Sequence, residues 1–565
     1  MFYKGIIFDL DNTIYNYDIL HENSLKYIFN LIVKQFNISE DLLVLNYKAI
    51  SNNLKYELKS TASSHNKYIY FKQLLEYFKL PISLSDNYND MYWEYFLDNI
   101  ICFAGVKEFI IWNKNNGIKI AILTDYETIY QIKKLKKLEL LDYIDIIITS
   151  EEVGIEKPSM HMFQTILNKL NLKSSEVIMI GDNYSKDIIG AINMNIFSYW
   201  FNKNNKFCDK YIEFNSFVDL HQNFIKMHKE LIKFKNISKY CGERFDLVQA
   251  GGGNTSFKIN DWLFIKASGY NLTNISLNDG YSVINNNKLI NDINIGDCMM
   301  DVINYNVIGN NRGSIETYMH AILKKYTIHL HPIQVNQILI TKNARDIIND
   351  LFPDSLFLEY ITPGIKVCNE IKKKYNNECV IFLKNHGIII TTDNYDKIYE
   401  ILKNVINKCE YLVCKTFNLK KYKFTNKISN YINSYFDLDN VSLLYEDLIV
   451  CEYLINKKYL FKEAITFPDA LIYCGASILF LDDLLENELQ EYKNKYNQAP
   501  NIIIINNNIY ICGNSLNKCK DIGDVLKSNL MILDSEYKKN YLDQDEIFFL
   551  NNWDAEKIRR SGTFI

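Results

Sequence analysis

Carboxylate side chains follow apolar runs at two points in the N-terminal third of the chain. Asp9 and Asp11 come after the run Gly5–Phe8, and Asp182 follows the run Val177–Ile180. Such runs predict strands of an open parallel sheet, in which ligands gather beyond the carboxyl ends of the strands. Magnesium prefers carboxylate, water and phosphate oxygens. We therefore expect Asp9, Asp11 and Asp182 to bind one magnesium ion at this edge.

The same side chains are suited to phosphoryl transfer. Asp9 could attack phosphorus to give an aspartyl-phosphate, while Asp11 protonates the leaving alkoxide and later activates water. Thr124 follows the run Ile118–Leu123, and with Lys157 it could contact the three equatorial oxygens of the transferring group. This set of residues predicts the hydrolysis of phosphate monoesters.

A second group of chemically capable residues lies in the middle of the chain. His329 and His331 are two residues apart on a predicted strand, so their side chains point to the same face. His386 is followed by a glycine, which permits close approach. Three neutral imidazoles would leave one position of a zinc ion open. Glu316, at the start of the helical pattern Ile315–Lys324, could then remove a proton beside a carbonyl group.

Alternating strand and helix patterns must position the acidic residues. Four short apolar runs in residues 1–200 predict a parallel sheet flanked by helices; beyond those named above, the fourth is Ile144–Thr149. A helix-rich stretch from Asn23 to Asn99 interrupts the alternation. We interpret it as an inserted helical cap over about residues 16–100, and such caps gate active sites.

The histidines belong to a region that opens on the glycine cluster at residues 251–253. Short β-like runs follow it, and a helix from Ser314 leads into a further strand. A Lys- and Asn-rich stretch at residues 203–235 places the first domain boundary near residue 225. From about residue 431 the chain has further strand patterns, at Ile502–Ile505 and Ile509–Cys512.

The first region resembles the haloacid dehalogenase superfamily of hydrolases. The motifs occur in the order of that superfamily: Asp9-Leu10-Asp11-Asn12-Thr13, Thr124, Lys157-Pro158, and Gly181-Asp182-Asn183 with Asp187. The resemblance implies that Asp187 binds magnesium directly or contacts a residue that does. The acid at position 11 is typical of the phosphatase-like branch and is absent from the dehalogenases.

The second region resembles the class II aldolase/adducin family, specifically its sugar-phosphate aldolases. The matching stretches are Gly252–Ser256, Lys266–Gly269, Ser314–Thr317, His329–Pro332 and His386–Gly387. The resemblance implies that His329, His331 and His386 bind zinc and that Glu316 is the acid/base. It also implies that the substrate phosphate is bound by four residues: Asn254, Ser268, Gly269 and Ser314. Ile315 replaces a small polar residue that is frequent in the family.

The two resemblances together imply an α/β protein. A doubly wound parallel sheet with a helical cap would occupy residues 1–225. An aldolase-type domain with a central, mainly antiparallel sheet would occupy residues 226–430, and residues 431–565 would extend it. The extension resembles that of the long rhamnulose-phosphate-aldolase-like proteins through Phe467-Pro468-Asp469 and residues 552–557.

Composition and charge restrict the partners. Lys and Arg number 63 against 67 Asp and Glu, so the net charge of -4 supplies no broad positive field for nucleic acid or anionic lipid. We expect no membrane span and, since no secretory signal precedes the first strand, a cytoplasmic location. The resemblance to the aldolases implies a homo-oligomer, namely a tetramer.

These observations favour an enzyme with two activities on small phosphorylated sugars. The leading hypothesis is that the second domain joins dihydroxyacetone phosphate to an aldehyde and the first removes the phosphate. Cleavage in the opposite direction is the alternative order. Two further hypotheses concern the zinc domain, as a sugar-phosphate epimerase or dehydratase, or as an adducin-like binding module beside an active phosphatase. The glutamate at position 316 disfavours the epimerases, in which aspartate is usual.

Overall fold

The computed structural model describes residues 3–202, 207–208, 211–295, 305–308, 311–413, 419–463 and 467–535, with 541, 542, 545, 547 and 550. The C-terminal motif at residues 552–557 lies outside this set. The chain divides into two compact units. The first comprises residues 1–231, 282–288 and 303–311, and the second comprises residues 232–281, 289–302 and 312–565.

A seven-stranded sheet forms the centre of the first unit, in the order β3-β2-β1-β4-β5-β7-β6. All pairs are parallel except β6 with β7. Its central strand, β1, is buried at every position, as expected for a strand covered on both faces. The strands are β1 Gly5–Phe8, β2 Lys119–Thr124, β3 Ile146–Thr149, β4 Val177–Gly181, β5 Phe197–Phe201, β6 Phe207–Cys208 and β7 Tyr211–Phe214.

Four helices make up the helical insertion between β1 and β2. They are α1 Tyr17–Phe36, α2 Glu40–Glu57, α3 Lys67–Tyr77 and α4 Ser85–Asp98. The two ends of the insertion meet, because Tyr15 bridges to Cys102 and the Phe103 N–H donates to the Ile14 carbonyl oxygen at 2.8 Å. The other helices of the first half of the chain are α5 Val106–Asn115, α6 Thr128–Lys137, α7 Ser150–Val153, α8 Met160–Leu170, α9 Ile189–Asn193 and α10 Phe217–Gly242.

An eight-stranded sheet follows, in the order β11-β10-β9-β8-β12-β15-β14-β13. Its pairs are antiparallel where β8 meets β9 and β12, and where β15 meets β12 and β14; β13 and β14 are parallel. The strands are β8 Asn254–Ile259, β9 Trp262–Lys266, β10 Tyr281–Asn285, β11 Asn306–Ile308, β12 Tyr326–Leu330, β13 Leu356–Leu358, β14 Val380–Leu383 and β15 Gly387–Thr392. The expected fold class, a parallel sheet followed by a mainly antiparallel one, is confirmed.

A third sheet of four strands, in the order β16-β19-β18-β17, lies near the C-terminal end of the second unit. Its strands are β16 Val441–Tyr445, β17 Leu479–Leu481, β18 Ile502–Ile505 and β19 Asn508–Gly513. The helices of the second half of the chain are α11 Asn286–Ile295, α12 Thr317–Ile322, α13 Ile333–Leu339, α14 Ala344–Leu351, α15 Ile365–Lys374, α16 Tyr395–Val413, α17 Lys420–Phe436, α18 Leu448–Asn456, α19 Glu486–Tyr496 and α20 Leu516–Leu533. Within the described part of the chain, no helix has both the length and the apolar character that crossing a membrane requires.

A buried carboxyl group connects the end of α10 to α17 and β16. Glu243 accepts hydrogen bonds from Ser429 Oγ at 3.0 Å, from the Ser442 N–H at 3.3 Å and from Asn426 Nδ2. Its side chain is buried. Burial raises the pKa of Glu243 from 4.5 to about 7, although Lys239 and the hydrogen bonds oppose the shift. The carboxyl group is therefore partly protonated at neutral pH.

We expect the second unit to lose stability as the pH rises from about 4.5 to about 7, because its folded state holds a proton that the unfolded state releases. A carboxyl group whose pKa is higher in the folded than in the unfolded state stabilises the fold fully at pH values below the unfolded pKa. This stabilisation is lost as the pH rises through the folded pKa. The shift corresponds to at most about 3 kcal/mol. Glu243→Gln should flatten the pH dependence of the unfolding free energy, whereas the exposed control Glu452→Gln should not. Equal slopes for wild type and Glu243→Gln would contradict this assignment.

Candidate active sites

Three acidic side chains beyond the ends of β1 and β4 form one cluster. Asp9, Asp182 and Asp187 each offer a carboxylate oxygen, and these oxygens lie within 4.8 Å of one another. The Thr13 hydroxyl donates to Asp9 Oδ2 at 2.9 Å and accepts from the Asp182 N–H at 2.9 Å. A single threonine therefore fixes two of the three acids relative to each other.

Lys157 places a positively charged ammonium group in direct contact with this cluster. Its Nζ lies 2.5 Å from Asp9 Oδ1 and 2.7 Å from Asp187 Oδ1. Burial and the neighbouring carboxylates nevertheless raise the pKa of Asp9, and burial raises the pKa of Asp182 to about 7. Three carboxylates against one ammonium leave an excess of negative charge. This donor set, rich in hard oxygen and short of positive charge, fits a magnesium ion.

The structure does not bring Asp11 into the acidic cluster, where the sequence placed it. Its Oδ1 lies 2.8 Å from Lys134 Nζ and also accepts from the Tyr15 hydroxyl, while Gln131 Nε2 donates to Oδ2 at 3.3 Å. Burial alone would raise the pKa of Asp11, but Lys134 and these hydrogen bonds lower it below its usual value. Because β1 ends at Phe8, the same-face rule for strands no longer applies at position 11.

Thr124 lies at the end of β2, as predicted, and is buried. Its hydroxyl accepts a hydrogen bond from Gln131 Nε2 at 2.6 Å and donates to the Asp125 carbonyl oxygen at 3.2 Å. Sequence reasoning missed Gln131 and Lys134, both on α6. That helix carries four lysines in ten residues, so no local signal separates Lys134 from its solvated neighbours.

Three imidazoles form the second cluster. The Nε2 atom of His329 lies 3.1 Å from Nε2 of His331 and 3.3 Å from Nε2 of His386. His329 Nδ1 lies 3.0 Å from the Ile388 carbonyl oxygen, which can only accept, so Nδ1 carries the hydrogen and Nε2 keeps its lone pair. Burial lowers the pKa of all three histidines. Three neutral nitrogen donors that face one point fit a zinc ion.

Glu316 lies against the histidine cluster. Its Oε1 is 3.3 Å from His329 Nε2 and 3.5 Å from His386 Nε2, and its Oε2 accepts a hydrogen bond from Asn254 Nδ2. The glutamate immediately precedes α12, which spans Thr317–Ile322, so the predicted helical pattern Ile315–Lys324 is too long at both ends. Asn254 Nδ2 also donates to Ser314 Oγ at 3.2 Å.

The remaining predicted phosphate ligands, Ser268 and Gly269, lie in the exposed turn after β9. The Ser268 N–H donates to the Arg312 carbonyl oxygen at 2.7 Å, which places this turn beside the segment that carries Ser314. Lys266, at the end of β9, donates from Nζ to the Gly251 carbonyl oxygen at 3.1 Å. The end of β9 therefore contacts both the segment before Ser314 and the glycine-rich segment before Asn254.

His320 is buried but does not belong to the histidine cluster. Its Nδ1 lies 2.7 Å from the Ser256 hydroxyl, and burial lowers its pKa to about 3. The imidazole is therefore neutral and acts in packing, as its position on α12 suggests.

Gly387 determines how closely β15 approaches the end of β12. A Cβ atom at this position would lie 2.2 Å from the Leu330 carbonyl oxygen and 2.9 Å from His331 Cδ2. Only glycine therefore allows the register that brings His386 to the other two rings.

We expect Gly387→Ala to cost about 1–3 kcal/mol of stability and to weaken metal binding by at least about tenfold, because the methyl group must displace His331 or the backbone. Thermal unfolding and zinc retained after dialysis measure the two effects. Gly251→Ala is the matched control, since a Cβ there would have one neighbour, at 3.9 Å. An unchanged zinc content in Gly387→Ala would show that the close approach does not position the rings.

Comparison with known proteins assigns both regions. Residues 6–201 match the family model for haloacid dehalogenase-like hydrolases, and residues 237–413 match that for class II aldolase and adducin N-terminal domains. The first region is 33% identical over 190 residues to a ribulose-1,5-bisphosphate 5-phosphatase from Halopiger xanaduensis, a match that covers 33% of this chain and 80% of that protein. It is 27% identical over 222 residues to a glyceraldehyde 3-phosphate phosphatase from Pyrococcus furiosus, covering 38% and 87%.

Among solved structures, the N-terminal class II aldolase domain of a conserved protein from Thermoplasma acidophilum is 25% identical, with a TM-score of 0.30. The match covers 38% of this chain and 100% of that one. The chain belongs to the haloacid dehalogenase-like hydrolases through residues 6–201. Its residues 237–413 match the model of the class II aldolase and adducin N-terminal domain.

Proposed function

We propose that the chain is an enzyme with two activities on phosphorylated sugars. The first domain hydrolyses a phosphate monoester, and the second makes or breaks a carbon–carbon bond of a ketose phosphate. The observation that carries this proposal is the presence of two complete clusters: Asp9 beside Lys157 and Asp182, and three imidazole Nε2 atoms beside Glu316.

In the phosphatase domain, Asp9 attacks phosphorus and the leaving alkoxide departs, which gives an aspartyl-phosphate that water then hydrolyses. Lys157 and Thr124 contact the phosphoryl oxygens, and Asp11, held by Lys134, exchanges protons with the leaving oxygen and the water. Asp9, Asp182 and Asp187 would hold magnesium, which when bound supplies the positive charge that the phosphate oxygens need.

In the second domain, Glu316 takes a proton from the carbon beside the carbonyl group during condensation and returns it during cleavage. Asn254 holds Oε2 of Glu316, and Oε1 lies beside the histidine cluster, where the substrate carbonyl would bind. His329, His331 and His386 would hold zinc, which when bound acts as a Lewis acid on the substrate carbonyl. Asn254, Ser268, Gly269 and Ser314 bind the substrate phosphate through amide, hydroxyl and backbone donors.

The relatives favour hydrolysis before cleavage. A phosphatase that acts as the Halopiger protein is named would convert ribulose 1,5-bisphosphate and water to ribulose 1-phosphate and inorganic phosphate. That product keeps its phosphate on the carbons that an aldolase releases as dihydroxyacetone phosphate. Because hydrolysis of a phosphate ester in water is strongly favourable, it would drive the readily reversible cleavage. The opposite order, condensation followed by hydrolysis, remains the competing one.

Product analysis with purified protein, magnesium and zinc tests the proposal. Ribulose 1,5-bisphosphate should give equal amounts of inorganic phosphate, dihydroxyacetone phosphate and glycolaldehyde. Phosphate release only after dihydroxyacetone phosphate is mixed with an aldehyde would favour condensation first. A five-carbon product without fragments would exclude cleavage and favour an epimerase or dehydratase. Protein that folds and hydrolyses phosphate esters but holds no zinc would favour the adducin-like binding module.

A further inference from the structure

The loop between α2 and α3 of the helical insertion is joined to the loops that carry the phosphatase residues. The Glu156 N–H donates to the Ser60 carbonyl oxygen at 3.0 Å, and His65 Nε2 lies 2.8 Å from Glu156 Oε1. Asn66 Nδ2 donates to Glu127 Oε1 at 2.6 Å. Glu156 directly precedes Lys157, so these contacts hold the first residue of α3, Lys67, at the phosphatase site.

Lys67 is a buried ammonium group without a counter-charge. It is 4% exposed, and its Nζ lies 5.2–5.9 Å from the ring centres of Tyr70, Tyr126 and Tyr17. Its Nζ donates to the His65 carbonyl oxygen at 3.2 Å. Across the described ranges, no carboxylate lies within ion-pair distance of Lys67. Aromatic rings offset only part of the several kcal/mol that burying a charge costs.

Lys134 provides an internal comparison. Its Nζ lies 5.3 Å from the ring centre of Tyr17 and 5.5 Å from that of Tyr126, so both ammonium groups contact the same two rings. Lys134, however, is neutralised by Asp11 at 2.8 Å. Burial lowers the pKa of Lys67 to about 7, and a phosphate bound beside Nζ would favour the charged form of the lysine again.

We propose that Lys67 binds a second phosphate group of the substrate, at the end opposite the phosphate that Asp9 attacks. This inference rests on the phosphatase activity proposed above and names its specificity residue. The aromatic wall of Tyr17 and Tyr126 would line the carbon chain between the two phosphates. A doubly phosphorylated sugar would thus supply at Lys67 the charge that Asp11 supplies at Lys134.

Matched synthetic substrates test this assignment: pentanediol bisphosphate and pentanediol monophosphate, each followed by phosphate release. A charge-assisted contact of about 1.5–3 kcal/mol corresponds to a preference of about 10- to 100-fold in kcat/KM. We expect wild type to show this preference for the bisphosphate. Lys67→Met should remove it mainly through KM, with the monophosphate rate within about twofold of wild type. Lys67→Arg should retain most of the preference.

The half-exposed Lys72, paired with Glu76 on the same helix, provides the matched control Lys72→Met, which should behave as wild type. Thermal unfolding adds a second readout. Lys67→Met should be as stable as wild type or more stable, because it removes an uncompensated buried charge. An unchanged preference in Lys67→Met, or equal loss on both substrates with a less stable fold, would overturn the inference. If wild type hydrolyses neither substrate, the phosphatase proposal itself fails.

Discussion

Asp9→Asn is expected to lower the rate of phosphate release by at least about 1000-fold, because an amide cannot form the acyl-phosphate bond. The amide is almost the same size as the carboxylate and can still accept from Thr13, so the fold of the first unit should persist. Phosphate release from ribulose 1,5-bisphosphate measures the loss. In the same preparation, cleavage of added ribulose 1-phosphate should proceed at the wild-type rate.

The matched control is Asp142→Asn, an exposed acid of the same unit, which should leave phosphate release unchanged. Retention of more than about a tenth of the wild-type rate by Asp9→Asn would exclude Asp9 as the nucleophile. A parallel loss of cleavage from ribulose 1-phosphate would instead indicate that the two activities do not belong to separate sites.

His329→Ala should produce the reciprocal result. His329 is the ring that lies within 3.3 Å of both other imidazoles, so its removal leaves two nitrogen donors that do not enclose an ion. Changing a mere neighbour of a metal ligand typically costs 10- to 100-fold in affinity, and loss of a ligand should cost more than about 100-fold. We expect zinc to be lost on dialysis, carbon–carbon cleavage to stop and ribulose 1-phosphate to accumulate from ribulose 1,5-bisphosphate.

His320→Asn separates zinc loss from general damage. This change removes another buried imidazole, but one whose contact is with Ser256. The variant should keep its zinc and its cleavage activity even if it unfolds at a lower temperature. Full cleavage by zinc-free His329→Ala would contradict the assignment of the histidine cluster.

Much of the framework was predictable because strands and glycines have strong local signals. The run Gly5–Phe8 became β1 without change, and Ile502–Ile505 became β18. The convergence of Asp9 with Asp182 followed from the parallel order of β1 and β4, which needs no side-chain detail. The roles of these residues and the domain boundaries at 225 and 430 stay predictions; α10 runs through the first of these boundaries.

The structure departs from the expected geometry at places where regular structure ends. Asp11 lies three residues beyond the end of β1, and Asn12 has a left-handed backbone with φ 65°, so the alternation of a strand gives no guide to where the carboxylate points. Glu316 likewise lies outside regular structure, at the residue before α12, so the helical period does not indicate its direction. Lys67 and Lys134 could not be identified because their distinction is burial beside aromatic rings from distant segments. A lysine in a lysine-rich sequence carries no such information.

The base of the helical insertion has a consequence for how the phosphatase domain can change. The helical insertion departs after Tyr15 and returns at Cys102, which bridges to Tyr15. A segment that departs and rejoins at one place can be lengthened, shortened or grafted from another protein while the strand tips keep their positions. Lys67 would travel with such a graft and Asp9 would not. Exchange of the helical insertion alone could therefore change the substrate while the catalytic residues at the strand ends stay the same.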